Sequence, residues 1–323
     1  MLGVSKSGYY AWLAAPESRR AVENRELLQQ IMQIHEESDR RYGSPKILDR
    51  LKKRGYMCGH NRLARIMREN GIKSKVVKKI RPRGKVIDKN HAAPNTLDRR
   101  FQWDTLNQAW ATDITYIPTK NGWVYLCVFL DLCSRAIVGW SVAEHMRTEL
   151  VMDALRRAYA SRRPGKGLLI HSDQGSQFGS DDFYDYLREY EFEQSMSRRG
   201  NCWDNACVES FFRLLKVEEL NDYCFNNVEE VRFKVFGYIE YFYNRQRIHS
   251  RLGYMSPLEF EKNYVLNPLS KKKGKVQITK FLPPLTSSII HHPFVSSVSS
   301  VVDQWQSRPV PCYNSPLRGS GGC

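Results

Sequence analysis

The chain has no run of about eighteen uninterrupted apolar residues, the length a membrane-spanning helix requires. It does not open on the apolar core of a signal peptide either, because Met1 leads into Gly, Ser, Tyr and Trp. The eight cysteines include no Cys-x-x-Cys and no Cys/His grouping at zinc-finger spacing. Cys202 and Cys207 are close together but lack a matching second pair, so no metal is assigned to them and the thiols are expected to be free. These absences make a cytosolic protein the expectation. Acidic residues are scarce at both ends. Residues 1–100 hold 24 Lys and Arg against 10 Asp and Glu, and beyond residue 270 only Asp303 is acidic.

What is present follows from that imbalance. The net charge is +16 over 323 residues, and nearly all of the excess sits in the first third. Such segregation points to a polyanionic partner, of which nucleic acid is the natural candidate. With 41% hydrophobic residues, the chain can bury a sizeable core and is expected to form two folded units.

The basic third reads as helical. Residues 2–13 look like the turn and second helix of a helix-turn-helix whose first helix is missing, as a late start or a truncated gene would produce. A helix from about Val22 to Glu37 carries Leu27, Leu28, Ile31 and Ile34 on one face. Ser44-Pro45 can cap and start the next, which runs from Lys46 to Arg54 and ends at Gly55. A further short helix, Asn61 to Glu69, is closed by Asn70-Gly71. Arg62, Arg65 and Arg68 stand three apart on its side away from Leu63, Ile66 and Met67, an arrangement that favours DNA contact over a merely solvated face. From Lys73 to Lys89 follows a basic linker without apolar periodicity, suited to lie along phosphates. It continues to about Asn107, where Phe101 and Trp103 begin to dock on the next domain.

The second half reads as alternating strands and helices. Trp110 to Pro118 is a β-branched and aromatic run in which Asp113, Thr115 and Tyr116 are expected to alternate with Thr112, Ile114 and Ile117. Trp123 to Asp131 follows a hairpin turn at Lys120-Asn121-Gly122, and Arg135 to Val142 supplies a third antiparallel strand. A helix at Thr148–Ala160, a strand at Leu168–Asp173, a helix at Ser180–Glu191 and a short strand at Phe192–Ser195 come next. Asp173 thus closes a buried strand, where open α/β sheets place ligands. Glu209 lies in a helical pattern capped by Asp204 or Asn205, and its longer arm could reach two strand-borne aspartates. Residues 228–244 form another amphipathic helix. The stretch Tyr243-Asn244-Arg245-Gln246-Arg247-Ile248-His249-Ser250-Arg251 brings three arginines beside a tyrosine and a histidine, a mixture suited to phosphate contact plus stacking or, equally, to docking the final helix on the core.

Four separate motifs, in order, carry a resemblance over residues 1–264. They are Trp110-Ala111-Thr112-Asp113-Ile114-Thr115-Tyr116; His171-Ser172-Asp173-Gln174-Gly175-Ser176-Gln177-Phe178; Asn205-Ala206 through Glu209-Ser210-Phe211-Phe212 with Lys216; and Tyr243-Asn244, Arg247, His249-Ser250, Leu252-Gly253-Tyr254, Ser256-Pro257 and Phe260. The chain resembles the catalytic subunit of bacterial insertion-sequence transposases of the two-reading-frame (IS-three) family, which have a retroviral-integrase-like core.

The resemblance implies an α/β, ribonuclease-H-like integrase catalytic core preceded by an all-helical helix-turn-helix region. In that fold the first and fourth strands lie side by side, which would bring Asp113 and Asp173 together. It further implies Asp113, Asp173 and Glu209 as catalytic residues, Lys216 as a contact to transposon-end DNA, and a partner from the upstream reading frame within a multimer. Arg247 is a further candidate DNA contact. Two carboxylates held close repel unless one is protonated or a cation separates them, and hard oxygen donors suit Mg²⁺ or Mn²⁺, with room for two ions; the resemblance implies that Asp113 bridges both. His171 has no settled role in the family and is read as packing or support.

The expected organisation is a helical DNA-binding region at 1–72, a basic linker at 73–107, the catalytic core at 108–264 and a disordered extension at 265–323. The activity implied is DNA strand cleavage and 3′-hydroxyl transfer by a bacterial, DNA-associated cytoplasmic protein. The alternative is a catalytically silent DNA-binding remnant or regulator.

Overall fold

The computed structural model describes residues 5–14, 17–75, 93–198 and 202–266, and the chain divides into two compact units, 1–81 and 82–323. Most of the basic linker and the tail from residue 267 onward lie outside the described residues.

The first unit is helical: α1 (Lys6–Ala14), α2 (Arg19–Glu37), α3 (Ser44–Lys53) and α4 (His60–Glu69). Helix α1 buries none of its residues. Ser18 caps α2 by accepting the Ala21 N–H. The apolar stripe Leu27, Ile31 and Ile34 then packs with Ile47 and Leu51 of α3 and with Leu63, Ile66 and Met67 of α4. Ser44 is not the cap of α3; Gly43 holds that position, and the Ser44 hydroxyl instead lies 3.2 Å from His60 Nε2. Gly55 and Gly71 close α3 and α4 in left-handed conformations, φ +86° and +67°, with Tyr56 N–H donating to Leu51 O and Ile72 N–H to Met67 O. The first residues expected in the linker belong to this unit: Ser74 Oγ donates to Arg41 O, and Lys75 N–H to Arg40 O.

The second unit is built on one five-stranded sheet in the order β3-β2-β1-β4-β5. The strands are β1 (Ala109–Thr119), β2 (Gly122–Asp131), β3 (Ile137–Ala143), β4 (Leu169–Ser172) and β5 (Glu193–Met196). A two-residue turn, Lys120-Asn121, joins β1 to β2, and Gly122 takes φ +129° at its exit. The period of two puts Tyr116 in step with Thr112 and Ile114, and Ile117 in step with Asp113, which corrects the alternation expected across β1. Strand β3 starts two residues later than expected, because the Asp131 carboxylate accepts the Cys133 and Ser134 N–H groups and holds a turn there.

Helices α5 (Thr148–Arg162) and α6 (Asp181–Glu189) complete the main core. Trp110, Phe129, Leu155, Ile170 and Phe183 are all buried in it, each contributing about 1.5–3 kcal/mol by burial. At Gly139 the backbone of β3 meets α5 so closely that a Cβ would lie 2.4 Å from Ala154 O and 2.6 Å from Ala158 Cβ. Residues 93–107, read from sequence as connection, are a strap on this unit. Leu97 is buried with its N–H on Ser195 Oγ, and Phe101 O accepts from Arg135.

Helix α7 (Ala206–Glu218) follows, then α8 (Val228–Phe236), and the chain ends its described part in α9 (Pro257–Leu266). The single helix expected over 228–244 is divided, since Gly237–Tyr243 is a π-helix whose wider turn buries Tyr238, Ile239, Phe242 and Tyr243 together. Just beyond it, the Asn244 side-chain amide both donates to Ile137 O and accepts from Ile137 N–H, at 3.0 Å each, standing in for a strand at the β3 edge. Among the described residues, Cys58, Cys127, Cys133 and Cys207 are free thiols. Among the described residues no helix is long and apolar enough to cross a membrane.

Gly139→Ala is expected to lower stability by at least about 1–3 kcal/mol, since the methyl must displace helix backbone. A urea melt that leaves the midpoint unchanged would contradict this close β3–α5 contact.

Candidate active site

The central pairing of the sheet fixes the relation of the two aspartates. Strands β1 and β4 are parallel, with Ala109 opposite Leu169, Trp110 opposite Ile170 and Ala111 opposite His171. Asp113 and Asp173 each stand two residues beyond the last of these pairs, Asp113 within β1 and Asp173 just past the end of β4. Adjacent strands are about 4.8 Å apart, and residues in register direct their side chains to the same face. Both carboxylates also act electrostatically on one atom, the Cys127 sulfur on β2, and together with burial, the larger cause, they push that thiol far up. Cys127 therefore stays protonated and is a poor ligand.

Each aspartate is oriented by backbone. Asp113 is buried, and its Oδ1 accepts the Ile114 N–H at 2.7 Å. Asp173 Oδ1 accepts the Gly175 N–H at 3.0 Å, an Asx turn at the end of β4. A Cβ at Gly175 would lie 3.0 Å from that same oxygen, so the glycine leaves the carboxylate its room.

Glu209 comes from the first turn of α7. Of the two cap candidates, Asn205 holds the N-cap position of α7, but its side chain makes no capping bond. Asn205 instead donates from Nδ2 to Thr112 O at 2.9 Å, which ties the start of α7 to β1 one residue from Asp113. Its Oδ1 is buried with no hydrogen-bond partner. Asp204 is fully buried and accepts from Arg198 through both guanidinium arms, from Arg99 and from Asn95. These bonds, Arg198 foremost, hold its carboxyl well below the usual range. Sequence reading missed this latch, although Trp203-Asp204-Asn205 ahead of a helix was its visible trace. Among the described residues, no three His, Cys, Asp or Glu side chains are grouped closely enough to hold a metal ion.

The remaining site candidates separate clearly. Lys216, two turns after Glu209, places Nζ 4.9 Å from the centroid of the Tyr116 ring. Arg65 and Arg68 are exposed on α4. Arg62 is drawn onto α2, where Nε donates to Asn24 Oδ1 at 2.8 Å and the guanidinium meets Glu23. Arg247 is buried, with Nε and one terminal nitrogen on the Glu218 carboxylate, which also accepts from the Tyr238 hydroxyl. A guanidinium so enclosed docks the chain after the π-helix on the core and does not reach phosphate, so Arg247 as a DNA contact is corrected. His171 is fully buried between Ser195 Oγ at 2.9 Å and Ser197 Oγ at 3.1 Å, and burial lowers it to about 4. It is a neutral support beneath Asp173, in line with its reading as packing.

Comparison with known proteins agrees with this arrangement. An HTH-like domain model matches residues 22–79, and two integrase core domain models match residues 105–202 and 209–265. The second unit is thus an integrase core of ribonuclease-H-like α/β fold, preceded by a helical HTH-like domain. The chain is 40% identical to an insertion element IS600 protein of Shigella sonnei, over 82% of this chain and 97% of that one. It is 38% identical to the transposase InsF of insertion sequence IS3A from Escherichia coli K12, over 81% of this chain and 91% of that one. A weaker likeness, 19% identity with a TM-score of 0.38, is to the HTLV-2 integrase catalytic core solved in complex with magnesium, covering 48% of this chain and 95% of that one. On the strength of the sequence relatives, the chain belongs to the IS3 family of insertion-sequence transposases.

His171 gives a pH signature. Its folded value lies below the ordinary 6.5, so its stabilising contribution is complete above pH 6.5 and is lost as pH falls toward about 4, by up to about 3 kcal/mol. Melts of the metal-free chain across that window should show this decline, and His171→Gln should flatten it. An unchanged slope in the variant would assign the pH dependence to another group.

Proposed function

We propose that the chain is a divalent-metal-dependent Asp-Asp-Glu transposase that cleaves DNA at the ends of its insertion sequence and transfers the resulting 3′-hydroxyl to a target strand. The observation that carries this reading is the parallel pairing of β1 with β4, which ends two residues short of Asp113 and of Asp173. Like charges so placed call for a cation, and the donor set is hard carboxylate oxygen with the nearby thiol held protonated, a set that fits Mg²⁺ or Mn²⁺.

Asp113, Asp173 and Glu209 would hold the metal. Bound there, the metal supplies Lewis acidity at phosphorus and on the attacking and leaving oxygens of an in-line displacement. The protein's own part is positional. The Ile114 and Gly175 N–H groups fix one oxygen of each aspartate, and the Asn205 tether sets α7, with Glu209 on its first turn, beside β1. Lys216 would bind a phosphate of the transposon end, and Arg65 and Arg68 would contact phosphates from the helix-turn-helix unit. The working assembly is a multimer on paired ends, joined by the product of the upstream frame and acting on DNA in the bacterial cytoplasm.

The alternative is a catalytically silent DNA-binding remnant or regulator. Strand transfer from a labelled terminal-repeat duplex in Mg²⁺ or Mn²⁺, with and without the upstream-frame product, decides between them. Asp113→Asn, Asp173→Asn and Glu209→Gln should each lower product at least about a hundredfold while DNA binding persists. Binding by the parent chain without any product in Mn²⁺ would establish the remnant reading. Arg68→Ala should weaken binding to all sequences and reduce the slope of log affinity against log salt by about one. An unchanged slope would remove Arg68 from the DNA surface.

A further inference from the structure

Three residues past Asp113 on β1, the chain displays an aromatic pair that packing does not use. Tyr116 is 54% exposed and Trp123, on β2, is 53% exposed. Their rings meet edge to face, with centroids 5.1 Å apart and planes at 90°. They are diagonal neighbours across the hairpin, since Tyr116 pairs with Tyr125 and Trp123 with Pro118. Lys216 lies over the Tyr116 ring from α7, the helix that also carries Glu209.

A cross-strand aromatic pair can serve only to hold a hairpin. Here, however, more than half of each residue faces solvent, next to a cation carried by the same helix as Glu209. Aromatic faces joined to a positive charge are the chemistry that binds a nucleotide, the ring stacking on the base and the ammonium meeting the phosphate. Glu209 and Lys216 are seven residues apart on α7, about 10 Å along the helix and on the same side of it, and stacked nucleotides rise about 3.4 Å each, so the pair stands roughly three nucleotides from a phosphate bound beside Glu209.

We propose that Tyr116 and Trp123, with Lys216, form a stacking platform for one unpaired base of the DNA strand adjoining the reacting phosphate. The platform keeps the end of the duplex splayed and the strand in line with the carboxylates. It takes any base, because every base offers a π face and no hydrogen-bonding edge is read. The inference rests on the reading of the chain as a DNA transposase and adds a substrate-binding site to it.

The test uses the full chain and a duplex carrying one terminal repeat of the insertion sequence that encodes it. 2-Aminopurine is placed in turn at each position within about three nucleotides of the cleavage point. Stacking should quench its fluorescence at one of these positions. Tyr116→Ala and Trp123→Ala should each abolish the quenching and weaken binding about tenfold, with the salt slope unchanged because no phosphate contact is lost. Tyr116→Phe should keep the quenching. If both alanine variants keep it, or the parent binds the duplex without quenching anywhere, the pair is only a hairpin staple and the proposal is overturned; thermal melts of the variants would then show the lost cross-strand contact. Quenching by a parent that yields no strand-transfer product leaves the platform standing and sinks the catalytic reading. Product without quenching does the reverse, and a parent that does not bind the duplex sinks both.

Discussion

The parallel pairing of β1 with β4 is the constraint on which the rest of the second unit depends. Parallel strands need a long crossover, and here the chain between them first completes the antiparallel β2 and β3 and then returns through α5. That return is possible only because β3 and α5 approach to backbone contact at Gly139. The apolar residues Trp110, Phe129, Leu155 and Ile170, buried between sheet and helix, supply the stabilisation that holds two carboxylates at the same level of the sheet. Two like charges could not stand there on their own merits. The core enforces the placement, and a cation would relieve it.

Around that pair, polar groups that would otherwise be costly to bury each find a structural task. Asp204 gathers Arg198, Arg99 and Asn95, and so joins the strap at 93–107 to the loop before α7. Asn205 extends that join to the main chain of β1. His171, between two serines, fills the space beneath Asp173 as a neutral ring. Glu218 collects Arg247 and Tyr238 and holds the chain beyond the π-helix against α7. Removing one member of such a cluster leaves its partner buried and unsatisfied, which is why these positions are costlier to change than their distance from the carboxylates implies.

The helical unit follows a simpler logic. Its three packed helices bury one face each, and α3 and α4 close on left-handed glycines, which leaves basic side chains on the outside by default. Arg65 and Arg68 remain outward, whereas Arg62 is recruited by Asn24 and Glu23 of α2. A charge three residues from its neighbours on a helix can therefore serve packing while they face solvent.

Sequence by itself determined the elements, their order and the identity of the three carboxylates as the residues to consider. Periodicity, turn chemistry and the end of an apolar run are local properties, and they made the helices of the first unit, the Lys120-Asn121 hairpin and the close of β4 legible. Only the tertiary structure decided what each polar side chain does, because that depends on residues distant in the chain. Asp204, one of two cap candidates, became a latch, Asn205 held the cap position but turned its side chain to β1, Arg247, equally suited to phosphate contact or to docking, became the buried partner of Glu218, and residues 93–107 read as linker and became part of the core surface. In each case a side chain that could satisfy a near neighbour instead met a buried group brought to it by the fold, where an unpaired polar atom costs most.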